Sequence, residues 1–285
     1  MAEIVTFRKT LTIGGDLEVN RVGYGAMRIT GDGIWGPPKN KAEAIRVLKR
    51  AIELGVNFID TADSYGPYVS EELIAEALYP YPDDLVIATK GGLVRTGPNQ
   101  WPINAHPDHL REALDGSLQR LKLDRIDLYQ LHRIDPNVPA ERTFNFLKQA
   151  QQEKKIRHIG LSEVNIDDIK RAQDYFEVVS VQNMYSVDNR KWESVLEFCC
   201  AHNIVFIPWF PLSEGNVETR EKIRQVAERR NASAQQVALS WLLHHRDNIL
   251  LIPGTSNVKH LEQNMQTVSL ELSDVDMQEL DSISQ

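Results

Sequence analysis

The chain has almost no cysteine. Its only two, Cys199 and Cys200, are neighbours. Adjacent side chains on a helix point in different directions, so these two do not bridge. No further cysteine spacing marks a disulfide framework or a zinc site. Long apolar runs are missing as well. Met1 to Leu11 is polar and mixed, which argues against a secretory leader, and no stretch has the length and apolarity of a membrane span. The expectation is a soluble cytoplasmic protein. Positive charge is in deficit: Lys and Arg number 32 against 40 Asp and Glu, for a net charge of −8 and a pI near 5.5. A nucleic-acid binder normally shows the opposite balance. No G-x-G-x-x-G follows a strand, which weighs against an open doubly wound dinucleotide fold. No low-complexity linker interrupts the 285 residues, so positions 1–285 read as one domain.

What the sequence does contain is a regular alternation, and 42% of it is hydrophobic. Ile4 to Ile13, a Gly14-Gly15 turn and Leu17 to Val19 predict an N-terminal β-hairpin. Eight apolar strand-like segments follow, at 22–27, 57–60, 85–89, 126–131, 156–161, 178–181, 205–208 and 249–252. Helical periodicity occupies 42–54, 70–78, 108–121, 140–152, 167–174, 190–201, 217–230, 234–244, 260–266 and 274–280. Gly55 supplies a clear stop after the first of these. Strict strand–helix alternation implies parallel pairing through right-handed crossovers. Eight units imply closure: an α/β fold, a (β/α)8 TIM barrel with an N-terminal hairpin and extra helices near the C-terminus.

The chemistry gathers at the strand ends. Asp60 closes the second segment, and Tyr65 lies five residues on in the loop. Lys90 stands at the tip of the third, and His132 at the tip of the fourth. In a parallel barrel these ends open on one face. A phenol is a poor acid near neutrality. A neighbouring ammonium favours the phenolate, so Lys90 is expected to lower the Tyr65 pKa and make it a better proton donor. Asp60 would keep that lysine charged, and His132 would orient a carbonyl oxygen by donating a hydrogen bond. The set suits protonation of an alkoxide as it forms. A hydrolytic barrel using Asp60 and Asp63 is a weaker alternative, because the pair has no metal-ligand company.

The stretches FIDTADSYG at 58–66, ATKGG at 88–92, LYQLHR at 128–133, RHIGLSEVN at 157–165, VVSVQNMYS at 178–186, IPWFPLSEG at 207–215 and IPGTSNVKHLEQN at 252–264 resemble the aldo-keto reductases, in that family's order and across nearly the whole chain. The resemblance implies a catalytic tetrad of Asp60, Tyr65, Lys90 and His132, with Tyr65 as general acid. It implies NADPH as hydride source, no metal, and a small-molecule carbonyl substrate. It also implies cofactor contacts from Gly25, Ala26, Met27, Ser162, Glu163, Gln182, Trp209, Phe210, Pro211, Leu212, Gly254, Thr255, Ser256, His260, Gln263 and Asn264. Ser162 and Gln182 match the positions that hold the nicotinamide carboxamide, and Trp209 the position whose aromatic ring stacks on the nicotinamide. Phe210 stands where a serine is common, and three further positions depart from the pattern. Glu163 replaces the usual asparagine, and Gly254 and His260 stand where lysine and arginine are frequent. Trp35 is the expected substrate wall. The strings GYGAM, WGPP and YPYPDDL look like the bacterial branch that includes pyridoxal reductases. The alternative within this resemblance is a cofactor-sensing regulatory subunit with little turnover.

Overall fold

The computed structural model describes residues 4–211 and 221–283. Seven parallel strands lie side by side in chain order: β4 (Tyr24–Gly25), β5 (Phe58–Asp60), β6 (Val86–Gly91), β7 (Ile126–Leu131), β8 (Ile156–Ser162), β9 (Val178–Gln182) and β10 (Val205–Phe206). The eighth segment closes the ring through single bridges, Leu251 to Val22 and Ile249 to Phe206. The Gly23 amide donates to the Leu251 carbonyl at 2.8 Å, and the Leu250 amide donates to the Phe206 carbonyl at 2.9 Å. This seam needs glycine: a Cβ on Gly25 would lie 2.5 Å from the Ile252 carbonyl oxygen.

Helices cover the outside. They are α1 (Lys41–Glu53), α2 (Val69–Leu78), α3 (Pro107–Leu121), α4 (Ala140–Gln152), α5 (Ile166–Gln173), α6 (Glu193–Ala201), α7 (Glu221–Arg230), α8 (Ala234–His245), α9 (Val258–Met265) and α10 (Asp274–Asp281). Their sequences explain their limits. Asn40 caps α1 by accepting from the Glu43 amide, and Gly55 ends it with φ of +87°, where a side chain would be strained. Capping boxes open α5 (Asn165 with Asp168), α8 (Ser233 with Gln236) and α10 (Ser273 with Asp276). The helix expected from Val217 is described from Glu221 onward.

Two departures from the sequence reading concern the N-terminal part. The hairpin consists of β2 (Thr10–Ile13) and β3 (Leu17–Asn20), whereas β1 (Ile4–Val5) leaves it and pairs antiparallel with β11 (Leu272–Ser273). The first barrel strand is also shorter than its apolar run. Ala26–Ile29 turns into a 3-10 helix, and Thr30 Oγ1 closes that turn by donating to the Met27 carbonyl.

Strand parity then decides what enters the barrel. Phe58, Val86, Ala88 and Leu128 pack with Val179, Val205, Ile207 and Leu250 in an inner cluster, and Ile13, Leu17 and Val19 of the hairpin join it. The hairpin thus plugs the end where strands begin. Asn57, just before β5, ties the two together by accepting from the Asn20 amide at 2.8 Å. Ile59, Ile87, Tyr129 and Leu131 face the helices in a second, larger cluster. With side chains alternating along a strand, Phe58 inside puts Asp60 inside, Ala88 puts Lys90 inside, and Leu128 puts Gln130 inside.

Candidate active site

Above the apolar floor this parity builds a polar layer. Lys90 is fully buried, and its Nζ donates to Asp60 Oδ2 at 2.5 Å, to the Thr61 carbonyl at 2.9 Å and to the Tyr65 phenolic oxygen at 3.4 Å. The other Asp60 oxygen accepts from Gln130 Nε2 at 3.0 Å and from Gln182 Nε2 at 2.9 Å. Gln130 was not singled out from the sequence, although its parity with Leu128 and His132 marks it. The Tyr65 ring lies edge-on to His132, with centroids 6.1 Å apart. Lysine donates to the phenolic oxygen, and no described residue accepts the phenol's own proton.

The electrostatics follow from burial and from these contacts. Burial pulls the Lys90 ammonium down, but Asp60 and the Tyr65 hydroxyl outweigh it, and the pKa lies above the ordinary lysine value. Tyr65 corrects the sequence reading. Lys90 does lower it, but burial is the larger effect and Asp60 adds to it, so the phenol lies above its ordinary value. Burial, Lys90 and Arg133 together hold His132 well below the ordinary histidine value, so it is neutral near pH 7. Its Nδ1 is buried without a partner among the described residues.

These groups line a cavity of about 1040 Å³ that runs from Tyr65 and His132 past Ser162, Gln182 and Trp209 to Gly254. Gly25, Met27, Phe210 and Pro211 line it too. Trp35 does not. It is 37% exposed, its backbone bridges Gly66, and its ring lies near Arg95. The aromatic wall is Trp101, set edge-on to Tyr65 at 6.4 Å. Arg95 fixes that wall. It donates to the carbonyls of Gly33, Ile34, Ser64, Gly97 and Gln100, and its guanidinium carbon lies 3.6 Å from the Trp101 ring centre. Neither residue has a periodic signal in sequence, since both belong to the loop after β6.

Glu163 lies behind the cavity rather than in it. Its φ is +54°, and its Oε1 accepts from the Met184 amide and from Trp209 Nε1, each at 2.6 Å. The acid is therefore used to hold the indole. Ser162 Oγ accepts from Arg133 Nη1 at 3.1 Å, and Gln182 Oε1 accepts from no described residue. Ala26 is buried in the outer core. Of the 252–264 segment, Ile252, Pro253 and Gly254 line the cavity. Thr255 is buried and receives the Tyr24 hydroxyl on its carbonyl at 2.5 Å. Ser256, His260 and Gln263 are exposed, and Asn264 is buried. The amide of Val258, at the start of α9, is bonded to Glu43. Leu212 lies outside the described residues.

Asp63 does not form a carboxylate pair with Asp60. Burial and the nearby Glu71 push its pKa well above the ordinary value, and it does not line the cavity. The hydrolytic alternative thus has no second carboxylate at the mouth.

The family model described as "Aldo/keto reductase family" matches residues 21–285. The chain belongs to the aldo/keto reductase family. It is thereby an oxidoreductase, in agreement with its curated relatives. An uncharacterized oxidoreductase of Schizosaccharomyces pombe is 54% identical over 260 residues, covering 91% of this chain and 85% of the relative. Pyridoxine 4-dehydrogenase of Escherichia coli is 41% identical over 281 residues, covering 96% and 98%. Among solved structures, an aldo/keto reductase from Klebsiella pneumoniae in complex with NADP and acetate superposes with a TM-score of 0.83 at 25% identity, covering 97% of this chain and 95% of that one. Membership accounts for the alternating architecture and for the strand-end placement of the polar layer. Among the described residues no helix is long and apolar enough to cross a membrane.

Proposed function

We propose that this aldo/keto reductase reduces an aldehyde or ketone to the alcohol with NADPH, using Tyr65 as proton donor. The observation that carries the reading is the Tyr65 hydroxyl, which accepts from the Lys90 ammonium while its own proton has no acceptor among the described residues. The cavity, at about 1040 Å³, is too large for a small carbonyl compound alone, and its donor set suits a nicotinamide nucleotide. Ser162 and the open Gln182 Oε1 offer amide partners, Trp209 a flat face held by Glu163, and Arg28 a cation beside Gly254. The Klebsiella pneumoniae structure with NADP supports the same class of cofactor. The nicotinamide supplies hydride when bound.

The chain's own residues do the rest. Neutral His132 orients the carbonyl by hydrogen bonding, and the ammonium below lends positive charge where oxygen becomes negative. Tyr65 gives its proton to that oxygen. A phenol raised by burial still serves, because an alkoxide is far more basic than a phenolate. Asp60, bonded on both oxygens, holds the lysine in its charged form. Pyridoxal is a leading substrate, since a relative at 41% identity carries the name pyridoxine 4-dehydrogenase and pyridoxal is the aldehyde of pyridoxine at that carbon.

The test is Tyr65→Phe, followed by loss of NADPH absorbance with pyridoxal and small aromatic aldehydes. The expected result is a fall in kcat/KM of about 10²–10⁴-fold with an unchanged circular dichroism spectrum. Equal rates would remove Tyr65 from the mechanism. Tight NADPH binding by the parent without turnover of any carbonyl would favour the regulatory alternative.

A further inference from the structure

Arg133 follows His132 at the tip of β7 and lines the cavity. Its Nη1 is held by the His132 carbonyl at 2.6 Å and by Ser162 Oγ at 3.1 Å, so the guanidinium is fixed in place. Its Nε and Nη2 have no hydrogen-bond partner among the described residues, and neither is among the buried unpartnered atoms. These donors are therefore not sealed off, and they belong to a residue of the cavity lining. Arg133 makes no ion pair with any described residue. The charge of Glu163 acts on it, but that carboxylate is bonded to Met184 and Trp209.

The charges around the cavity are few. Arg28, Asp60 and Arg133 are the only charged residues of its lining among the described residues. Asp60 is compensated by Lys90, so the two open charges are both positive, in a chain whose net charge is −8. They come from different parts of the rim, Arg28 from the turn after β4 and Arg133 from the tip of β7. Arg28 adjoins Gly254, whose added Cβ would lie 3.5 Å from Arg28 Cγ. Arg133 adjoins His132 and acts electrostatically on Tyr65. One cation thus stands beside Gly254 and the other beside His132 and Tyr65. A fixed guanidinium with two free donors matches an anionic oxygen better than any neutral group.

We propose that Arg133 forms a subsite for an anionic oxygen, a carboxylate or an ionised ring hydroxyl, carried by the carbonyl substrate itself. This rests on the reductase reading above and narrows its substrate class. Pyridoxal, with a hydroxyl on the ring carbon next to its aldehyde, falls in that class.

Two substrate pairs test the assignment in the parent, Arg133→Gln and Arg133→Lys, each with saturating NADPH. One pair is 3-carboxybenzaldehyde and its methyl ester; the other is pyridoxal and pyridine-4-carbaldehyde. The kcat/KM ratio of the first member to the second is expected to fall at least tenfold in Arg133→Gln, through KM, with partial recovery in Arg133→Lys. A fall confined to the first pair identifies a carboxylate subsite, and one confined to the second a ring-hydroxyl subsite. Ratios unchanged within twofold in both pairs overturn the proposal and leave the reductase reading intact. Benzoate titrated against tryptophan fluorescence gives a readout without turnover. A benzoate Kd at least tenfold weaker in Arg133→Gln upholds the subsite even if no aldehyde is reduced; an equal Kd removes it. Should Arg133→Gln not fold, benzoate against benzamide in the parent decides, and equal affinity refutes the subsite.

Discussion

Asp63 shows how much one side chain's surroundings matter. It lies three residues past Asp60, yet the two have opposite fates. Asp60 accepts from a lysine and two glutamines. Asp63 is buried with Oδ1 unpartnered and Glu71 close enough to repel it. Its folded pKa is therefore raised, and the folded state keeps a proton that the unfolded chain releases above about pH 3.8. Its contribution to stability is complete below that pH and is lost as pH rises through the folded value. Asp63→Asn removes the ionisation. The variant is expected to be more stable than the parent by about 1–3 kcal/mol at pH 7, and the gain should vanish below pH 4. Urea unfolding at the two pH values measures both. A gain that persists at pH 4 would mean that shape, not charge, was relieved.

At the scale of elements, the loops past β4, β5 and β6 act as one wall because Arg95 joins them. Five carbonyls from three loops converge on its guanidinium, and Trp101 stacks on it. Arg95→Met keeps the length and loses the donors. KM for aromatic aldehydes is expected to rise about tenfold, since substrate position depends on the wall, with faster amide exchange in 31–36 and 93–103. Unchanged exchange in those loops would show that each holds its own shape. The same contrast explains what could be read from the chain alone. Asp60, Lys90 and His132 were legible because each stands at the end of an apolar run, where a parallel barrel opens its mouth. Glu163 was legible as a departure, but its use as a brace for Trp209 depends on a left-handed backbone that no periodicity announces. Arg95 and Trp101 were not legible, because loops have no repeat and their partners lie as much as 62 residues away in sequence.

At the scale of the whole molecule, the barrel is closed unevenly. Among the described residues six strand pairs share ladders of two or more partners, whereas the eighth segment is held by single bridges. Arg21 compensates. Almost wholly buried, it donates to the carbonyls of Ile249 at 2.8 Å, Arg246 at 2.5 Å and Arg8 at 3.0 Å. Burial brings its pKa down to about 10, so it remains charged at neutrality. Arg21→Met leaves those carbonyls without their donors and is expected to cost about 3–5 kcal/mol, measured as a lower urea midpoint. A loss under 1 kcal/mol would mean that the ring closes without it. The eightfold closure was readable from the spacing of apolar runs. The seam's weakness was not, because the last run is as apolar as the others and only its pairing is sparse.

An aldehyde brought beside a primary amine ordinarily condenses with it to an imine, and an enzyme that did so would capture its own substrate. The ion pair under Tyr65 forestalls this. Held as an ammonium by Asp60 and shut away from solvent, the nitrogen has no lone pair to attack with and no path by which to reach the carbonyl carbon. The same contact that keeps the lysine charged also makes it chemically inert toward any carbonyl compound that enters the cavity.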